Sequence, residues 1–202
     1  MEGSISRFAR SGLAALLLGA SLVISSGQAR KILPRPVVDM VIEKRGTIRI
    51  ELSPMDAPKT TAHFLDLVDR RFYDGILFHR LDPKFVAQAG DPESRKVDGA
   101  KIASITPNEA AQVYRLGLGG SGKTVPLEAT APCMRGTVGL GHSANPDSGD
   151  SQFFFNLSDN HRLDNQYTVF GKVVRGLDVM DAIRQGDRIK SVRRVPRTGK
   201  GP

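Results

Sequence analysis

The sequence predicts a mainly β fold: a closed antiparallel barrel of roughly seven or eight short strands, with two helices over its ends. Three observations predict it. Apolar and polar residues alternate with period two over residues 38–42 and 47–52, the pattern of strands with one buried face. Further short apolar segments recur down the chain between breaks rich in Gly, Pro and Asp. The two helical patterns lie far apart, near 58–68 and 176–185. That separation excludes alternating βαβ units and a parallel sheet.

Taken in order, Val38, Met40 and Ile42 alternate with Asp39, Val41 and Glu43, and a turn follows at Arg45-Gly46. Ile48, Ile50 and Leu52 alternate with Thr47, Arg49 and Glu51, which completes an antiparallel hairpin. Ser53–Pro58 breaks the strand. Asp56 is expected to cap a helix that starts near Pro58, where a missing amide hydrogen is harmless. Thr61, Phe64, Leu65 and Val68 then fall on one helical face. Strands are expected over 76–80, 85–89, 136–140, 153–157 and 168–174. A second helix is expected over 176–185, with Leu177, Met180 and Ile183 on one side, and a closing strand over 189–195. Residues 91–123 read as an elaborated surface loop.

The length of 202 residues suits one domain with a short tail. Residues 1–29 read as an export signal. Arg7 and Arg10 precede the apolar run Leu13–Ile24, and small residues stand at Gly27 and Ala29. A bilayer-spanning helix needs about 20 apolar residues, so cleavage is expected after Ala29; left uncleaved, the segment would serve as a membrane anchor. Residues 30–36 form a linker, 37–197 the folded domain and 198–202 a tail. The expected location is periplasmic or secreted. A hydrophobic fraction of 40% and a charged fraction of 25% exclude a disordered chain. The net charge of +8 comes from scattered residues with one mild cluster at 188–197, so specific nucleic-acid binding is not expected. A single cysteine, Cys133, excludes an intramolecular disulfide. His63, His79, His142 and His161 lack metal-ligand spacing, and no metal or cofactor is expected.

Two windows carry unusual residues. In Phe78–Asp91, Arg80 and Gln88 fall among apolar strand residues. Spacing alone does not put them on one face and favours a surface arginine lying along a sheet. In the second window, Ser151-Gln152-Phe153-Phe154-Phe155 is followed by Leu163–Gly171; read alone, the Phe triplet is strand core. Taken together, the windows carry a resemblance. Phe72-Tyr73-Asp74-Gly75, Phe78-His79-Arg80, Phe85 to Gln88 with Gly90-Asp91, Ser151-Gln152-Phe153-Phe154 and Val169-Phe170-Gly171-Lys172-Val173 occur in the order found in the cyclophilins. From about Val38 to Val195 the chain resembles that family.

The resemblance implies an eight-stranded antiparallel barrel capped by two helices, peptidyl-prolyl cis–trans isomerase activity without a cofactor, and proline-containing segments of other proteins as partners. It assigns Arg80 as the catalytic group. Phe85, Phe154 and Leu163 become the walls of a proline pocket, with Val86 where methionine is more usual and Tyr167 where many members have histidine. Gln88 and Gln152 hold the substrate backbone, and Gly141-His142-Ser143-Ala144 supplies further contacts. Arg162 stands where some members carry the tryptophan linked to cyclosporin binding, so only weak cyclosporin binding is expected. A monomer is expected. The competing reading is a non-catalytic proline-peptide binding or chaperone module of the same fold, which would bind such peptides without accelerating isomerisation.

Two other motifs are set aside. Gly117–Thr124 spells G-x-x-x-x-G-K-T. No buried strand pattern precedes it and Pro132 would break the helix it needs, so it reads as a glycine-rich loop. His142, Ser143 and Asp147 share one short polar stretch without a nucleophile elbow and read as a turn.

Overall fold

The computed structural model describes residues 35–196; the expected signal segment, most of the linker and the tail lie outside them. The first hairpin forms as the alternation requires. Strands β1 (Val37–Ile42) and β2 (Gly46–Leu52) pair with Val38 opposite Ile50 and Met40 opposite Ile48. Val38, Met40, Ile42, Ile48, Ile50 and Leu52 are all buried in the core.

Helix α1 (Pro58–Asp69) begins with Pro58 in its first turn. Asp56 does not cap it. The cap position is Ala57, which has no side-chain acceptor. Glu128 does the work from far along the chain, its carboxylate accepting the Lys59 N–H at 3.1 Å and the Thr60 N–H at 2.8 Å. An anion at this end of a helix satisfies orphan amides and opposes the macrodipole. The face bearing Thr61, Phe64, Leu65 and Val68 is buried. Phe64 packs its ring 5.0 Å from both Tyr73 and Phe170 and edge-on to Phe153.

The remaining strands are β3 (Arg80–Asp82), β4 (Val86–Ala89), β5 (Thr137–Leu140), β6 (Phe153–Asn156), β7 (Val169–Arg175) and β8 (Ile189–Arg194). All eight strands join one antiparallel sheet in the order β3-β4-β6-β5-β7-β2-β1-β8. The closed barrel needs correction: the sheet is open and curled. No ladder joins the edge strands β3 and β8. The segments just before them meet instead, through one bridge between Leu77 and Arg188 and bonds such as Phe78 N–H to Asp187 O at 2.9 Å. The seam is irregular because Gly186 turns there with φ +89° and lies against Gly99; a Cβ on Gly186 would stand 2.2 Å from the Gly99 carbonyl oxygen.

Among the described residues four α-helices replace the expected two. Helix α4 is shorter than its pattern, covering Leu177–Asp181. Helices α2 (Gly99–Ala103) and α3 (Pro107–Tyr114) lie within the stretch expected as a loop. That stretch has a small core of its own, Leu77, Ile102, Ala110 and Leu116, with Val97, Ile105 and Tyr114 against it.

Candidate active site

Strand pleating divides β4 and β6 between two faces. Ala87, Ala89, Phe153 and Phe155 join the main core; Val86, Gln88 and Phe154 do not. Residues directly opposite one another in an antiparallel pair share a face. The register therefore builds a single row across four strands: Arg80 opposite Gln88, Gln88 opposite Phe154, Phe154 opposite Gly139. A tight turn makes this possible, with Phe85 N–H bonded to Asp82 O at 3.0 Å and Lys84 at φ +62°. Spacing alone could not decide whether Arg80 and Gln88 shared a face; the turn decides it.

Gly139 is where the Phe154 ring rests. A Cβ there would come within 2.3 Å of Phe154 Cζ. Tyr167 meets Phe154 edge-on at 5.4 Å, and His142 stacks on Tyr167 at 4.3 Å. Phe85 is half-buried between two cations, with Arg80 Cζ 5.9 Å and Arg162 Cζ 4.0 Å from its ring centre. Val86 is buried on the face of Gln88. Leu163, half-buried, ends the 3-10 turn His161–Leu163, and its carbonyl accepts the Tyr167 N–H at 3.3 Å. Ala144 stands apart, exposed and beyond the lining of the neighbouring hollow.

A one-way chain of hydrogen bonds links the polar members. Arginine has only donors, so Arg80 Nη1 faces Gln88 Oε1, at 3.4 Å. That leaves Gln88 Nε2 to donate to Gln152 Oε1 at 2.9 Å, and Gln152 Nε2 to donate to Gly119 O at 2.8 Å. Gly119 is held in turn by Asp91, a carboxylate with no exposed surface. Asp91 Oδ2 accepts the N–H groups of Gly117 at 2.7 Å and Gly119 at 3.1 Å, while Oδ1 accepts Glu93 N–H at 2.9 Å. Asp150 takes the Ser121 hydroxyl and the Gly122 N–H, the latter at 2.9 Å. Gln88, Gln152, the pinned glycines and Gly141–Ser143 line a hollow of about 440 Å³. Sequence reading named Asp91 only as part of a motif, without a role, and did not single out Asp150. The visible signal for Asp91 was an acid set among apolar and small residues, immediately before a proline.

The same bonds dispose of the phosphate-loop reading. Three N–H groups of that string, those of Gly117, Gly119 and Gly122, are occupied by the protein's own carboxylates, and no helix follows Lys123. His142, Ser143 and Asp147 do not converge: the Ser143 hydroxyl meets Ser148, and the Asp147 carboxylate accepts Leu127 N–H. Cys133 is buried, and burial pushes its thiol up to about 11. Among the described residues no cluster of His, Cys, Asp and Glu could hold a metal ion. What the site offers is a fixed cation, two oriented amides and apolar walls: binding and electrostatics without a nucleophile.

Comparison with known proteins agrees. Residues 37–198 match the family model described as cyclophilin type peptidyl-prolyl cis-trans isomerase. A Brucella suis protein named as a peptidyl-prolyl cis-trans isomerase is 38% identical over 186 residues, covering 91% of this chain and 89% of its own. A Synechocystis protein named as a thylakoid lumen peptidyl-prolyl cis-trans isomerase is 30% identical, covering 79% of this chain and 46% of its own. Among solved structures, a cyclophilin-type isomerase of Cryptosporidium parvum superposes with a TM-score of 0.64 at 21% identity, covering 80% of this chain and 98% of its own. With the motif order, the curled sheet and the family match in agreement, the chain belongs to the cyclophilin-type peptidyl-prolyl cis–trans isomerases.

Proposed function

We propose that this isomerase turns over X–Pro bonds with Arg80 as its catalytic group, outside the cytoplasm. An X–Pro bond is a tertiary amide whose rotation barrier is about 18–20 kcal/mol. No bond breaks, so catalysis requires only a site that binds the twisted amide better than either planar form. Twisting removes resonance and returns a lone pair to the imide nitrogen. A donor already aimed at that nitrogen stabilises the twisted state alone. Arginine suits the task because it is always charged and its donors lie in one rigid plane.

The walls come from Phe85, Val86, Phe154, Leu163 and Tyr167, which grip the pyrrolidine ring while the preceding residue rotates. Gln88 and Gln152 hold the backbone before the proline. Backbone groups around Gly141–Ser143, which line the adjoining hollow, complete that side. The observation that carries this reading is the cross-strand row, which puts the guanidinium beside Gln88 and over the edge of Phe85. With its side chain 40% exposed, Arg80 is open to an arriving peptide. Arg80→Ala should slow isomerisation roughly 10²–10³-fold, the effect of deleting one oriented transition-state donor. A protease-coupled proline-peptide assay reads the rate and circular dichroism checks the fold. Unchanged turnover in a folded variant ends the assignment.

The location outside the cytoplasm is supported by the basic, apolar and small-residue pattern of residues 1–29 and by the lumenal name of the Synechocystis relative. Mass spectrometry of the protein from cells should find a mature chain starting at Arg30 in the extracytoplasmic fraction; a full-length cytosolic chain refutes it. Arg162, stacked on Phe85, occupies the rim where cyclosporin would sit, which supports weak binding of that drug.

A further inference from the structure

The edge of the sheet beyond Arg80 does not open directly to bulk water. Helix α3 packs against β3 there. Between them lies a groove of about 370 Å³, with Arg80, Asp82 and Pro83 on one wall and Thr106, Pro107 and Asn108 on the other. Arg80 thus faces two spaces, the apolar slot beside Phe85 and this groove of mixed polarity.

The outer wall is built to stay in place. Thr106 and Glu109 form a reciprocal cap at the start of α3, with Thr106 N–H to Glu109 Oε2 at 2.7 Å and Glu109 N–H to Thr106 Oγ1 at 3.2 Å. Gln185 rivets this segment to the sheet. Its Oε1 accepts Leu81 N–H at 3.2 Å, while its Nε2 donates to Ile102 O at 2.8 Å and Ile105 O at 2.7 Å. The small core beneath holds the rest. A pre-ordered wall loses little freedom when a ligand arrives, so contacts made there appear in the affinity.

The direction of the substrate selects the occupant. On the reading given above, Gln88 and Gln152 hold the residues before the proline, and the ring sits against Phe85 and Phe154. The chain leaving the ring must then depart on the far side of Arg80, across the edge strand. Two further residues of extended chain reach roughly 7 Å. The groove mixes apolar surface from Leu81, Pro83 and Pro107 with polar groups. Asp82 offers acceptors, and the exposed Asn108 amide, which has no partner among the described residues, offers both donor and acceptor. Such a wall suits an extended backbone and tolerates varied side chains.

We propose that this groove is a binding subsite for the two residues that follow the proline, with Asn108 as its specificity-determining contact. The inference rests on Arg80 being the reacting centre. Its test uses two peptides with the same sequence up to the proline, one ending in an amide one residue later, the other extended by three residues. Calorimetry gives their dissociation constants and the protease-free NMR exchange rate gives turnover. The extended peptide should bind about tenfold more tightly, the effect of two added hydrogen bonds. Asn108→Ala should cut that ratio to about threefold, with an unchanged thermal midpoint confirming the fold. Equal affinity for the two peptides, or a full ratio in the variant, overturns the subsite. If the peptides bind with the tenfold ratio but neither is isomerised, the subsite stands and the catalytic assignment falls. If both are isomerised with equal affinity, the reverse holds.

Discussion

Replacing Asp91 with asparagine changes one atom and one charge in a place that water cannot reach. The carboxylate serves three N–H donors, Glu93 at one oxygen and Gly117 and Gly119 at the other. An asparagine must turn its NH₂ toward one of these sets. The less harmful choice faces Glu93, leaving one donor unpaired and the two glycine bonds reduced from charged to neutral. Hydrogen bonds to charged groups contribute about 1.5–3 kcal/mol and neutral ones about 0.5–1.5, while an unsatisfied buried donor costs about 1–3. The variant should therefore lose about 3–5 kcal/mol locally. Held only by a neutral bond, Gly119 positions Gln152 Nε2 less firmly, so the amides of Gln152 and Gln88 gain freedom and Arg80 loses a fixed neighbour. A loss of one positioning bond, about 1.4 kcal/mol, is a tenfold fall in kcat/KM. The coupled assay should show that fall alongside a lower thermal midpoint. Gln152→Leu added to Asp91→Asn should do little more harm, because both cut the same chain of bonds. Full kcat/KM in a variant with a lowered midpoint would refute the link between the pinned glycines and the active face. Strict additivity with Gln152→Leu would refute it too.

Gly139→Ala should push the Phe154 ring off its seat, since a Cβ would overlap it at 2.3 Å; overpacking costs about 1–3 kcal/mol, and KM for proline peptides should rise several-fold. His79 is buried with an unpartnered Nδ1, and burial depresses its pKa from 6.5 to about 4, with Asp91 opposing and Arg80 assisting. Its depressed value means the unfolded chain takes up the proton first. Stability is complete above pH 6.5 and drains as pH falls toward 4, by about 3 kcal/mol in total. Urea midpoints across that range should flatten in His79→Phe; an equally steep decline would exclude His79 as the cause. Glu128→Ala should cost about 1 kcal/mol through the loss of the remote cap on α1, seen as a lower thermal midpoint, and an unchanged midpoint would show that water replaces it.

What could be read from the sequence was what is local or periodic. The hairpin of β1 and β2 follows from the period-two alternation, and α1 follows from three apolar residues and a threonine on one face. Motif order carried the family, and with it the residues proposed as walls of the slot. Long-range hydrogen bonding was invisible. Glu128 caps a helix nearly seventy residues away, and no local pattern announces it. The open seam was hidden for a related reason. Whether β3 and β8 join in a ladder depends on Gly186 lying against Gly99, a contact between segments far apart in sequence. Helices α2 and α3 were missed because each is too short to show a hydrophobic period, although Thr106-Pro107-Asn108-Glu109 is a capping-box signal that could have revealed α3. Ala144 was placed by analogy in a stretch interrupted by Asn145–Asp150, and the structure leaves it exposed at the surface.

The placement of the site follows from how a sheet splits its side chains. Phe153 and Phe155 are committed to the core, so Phe154 between them must face the other way and cannot slip without moving both neighbours. The proposed proline slot thus inherits the rigidity of the main core on one of its walls. The stretch from 91 to 123 then extends the rim at both ends. Asp91 pins its glycines beside Gln152, and Gln185 fixes the approach to α3 beside the edge strand. An insertion that served only as surface decoration would have no reason to be tied on both flanks of the same guanidinium. On the proposed function the two ties place it beside the path of a bound peptide, so its residues are the ones to vary in search of substrate preference, and Arg80 and Phe154 the ones to vary in search of the chemistry.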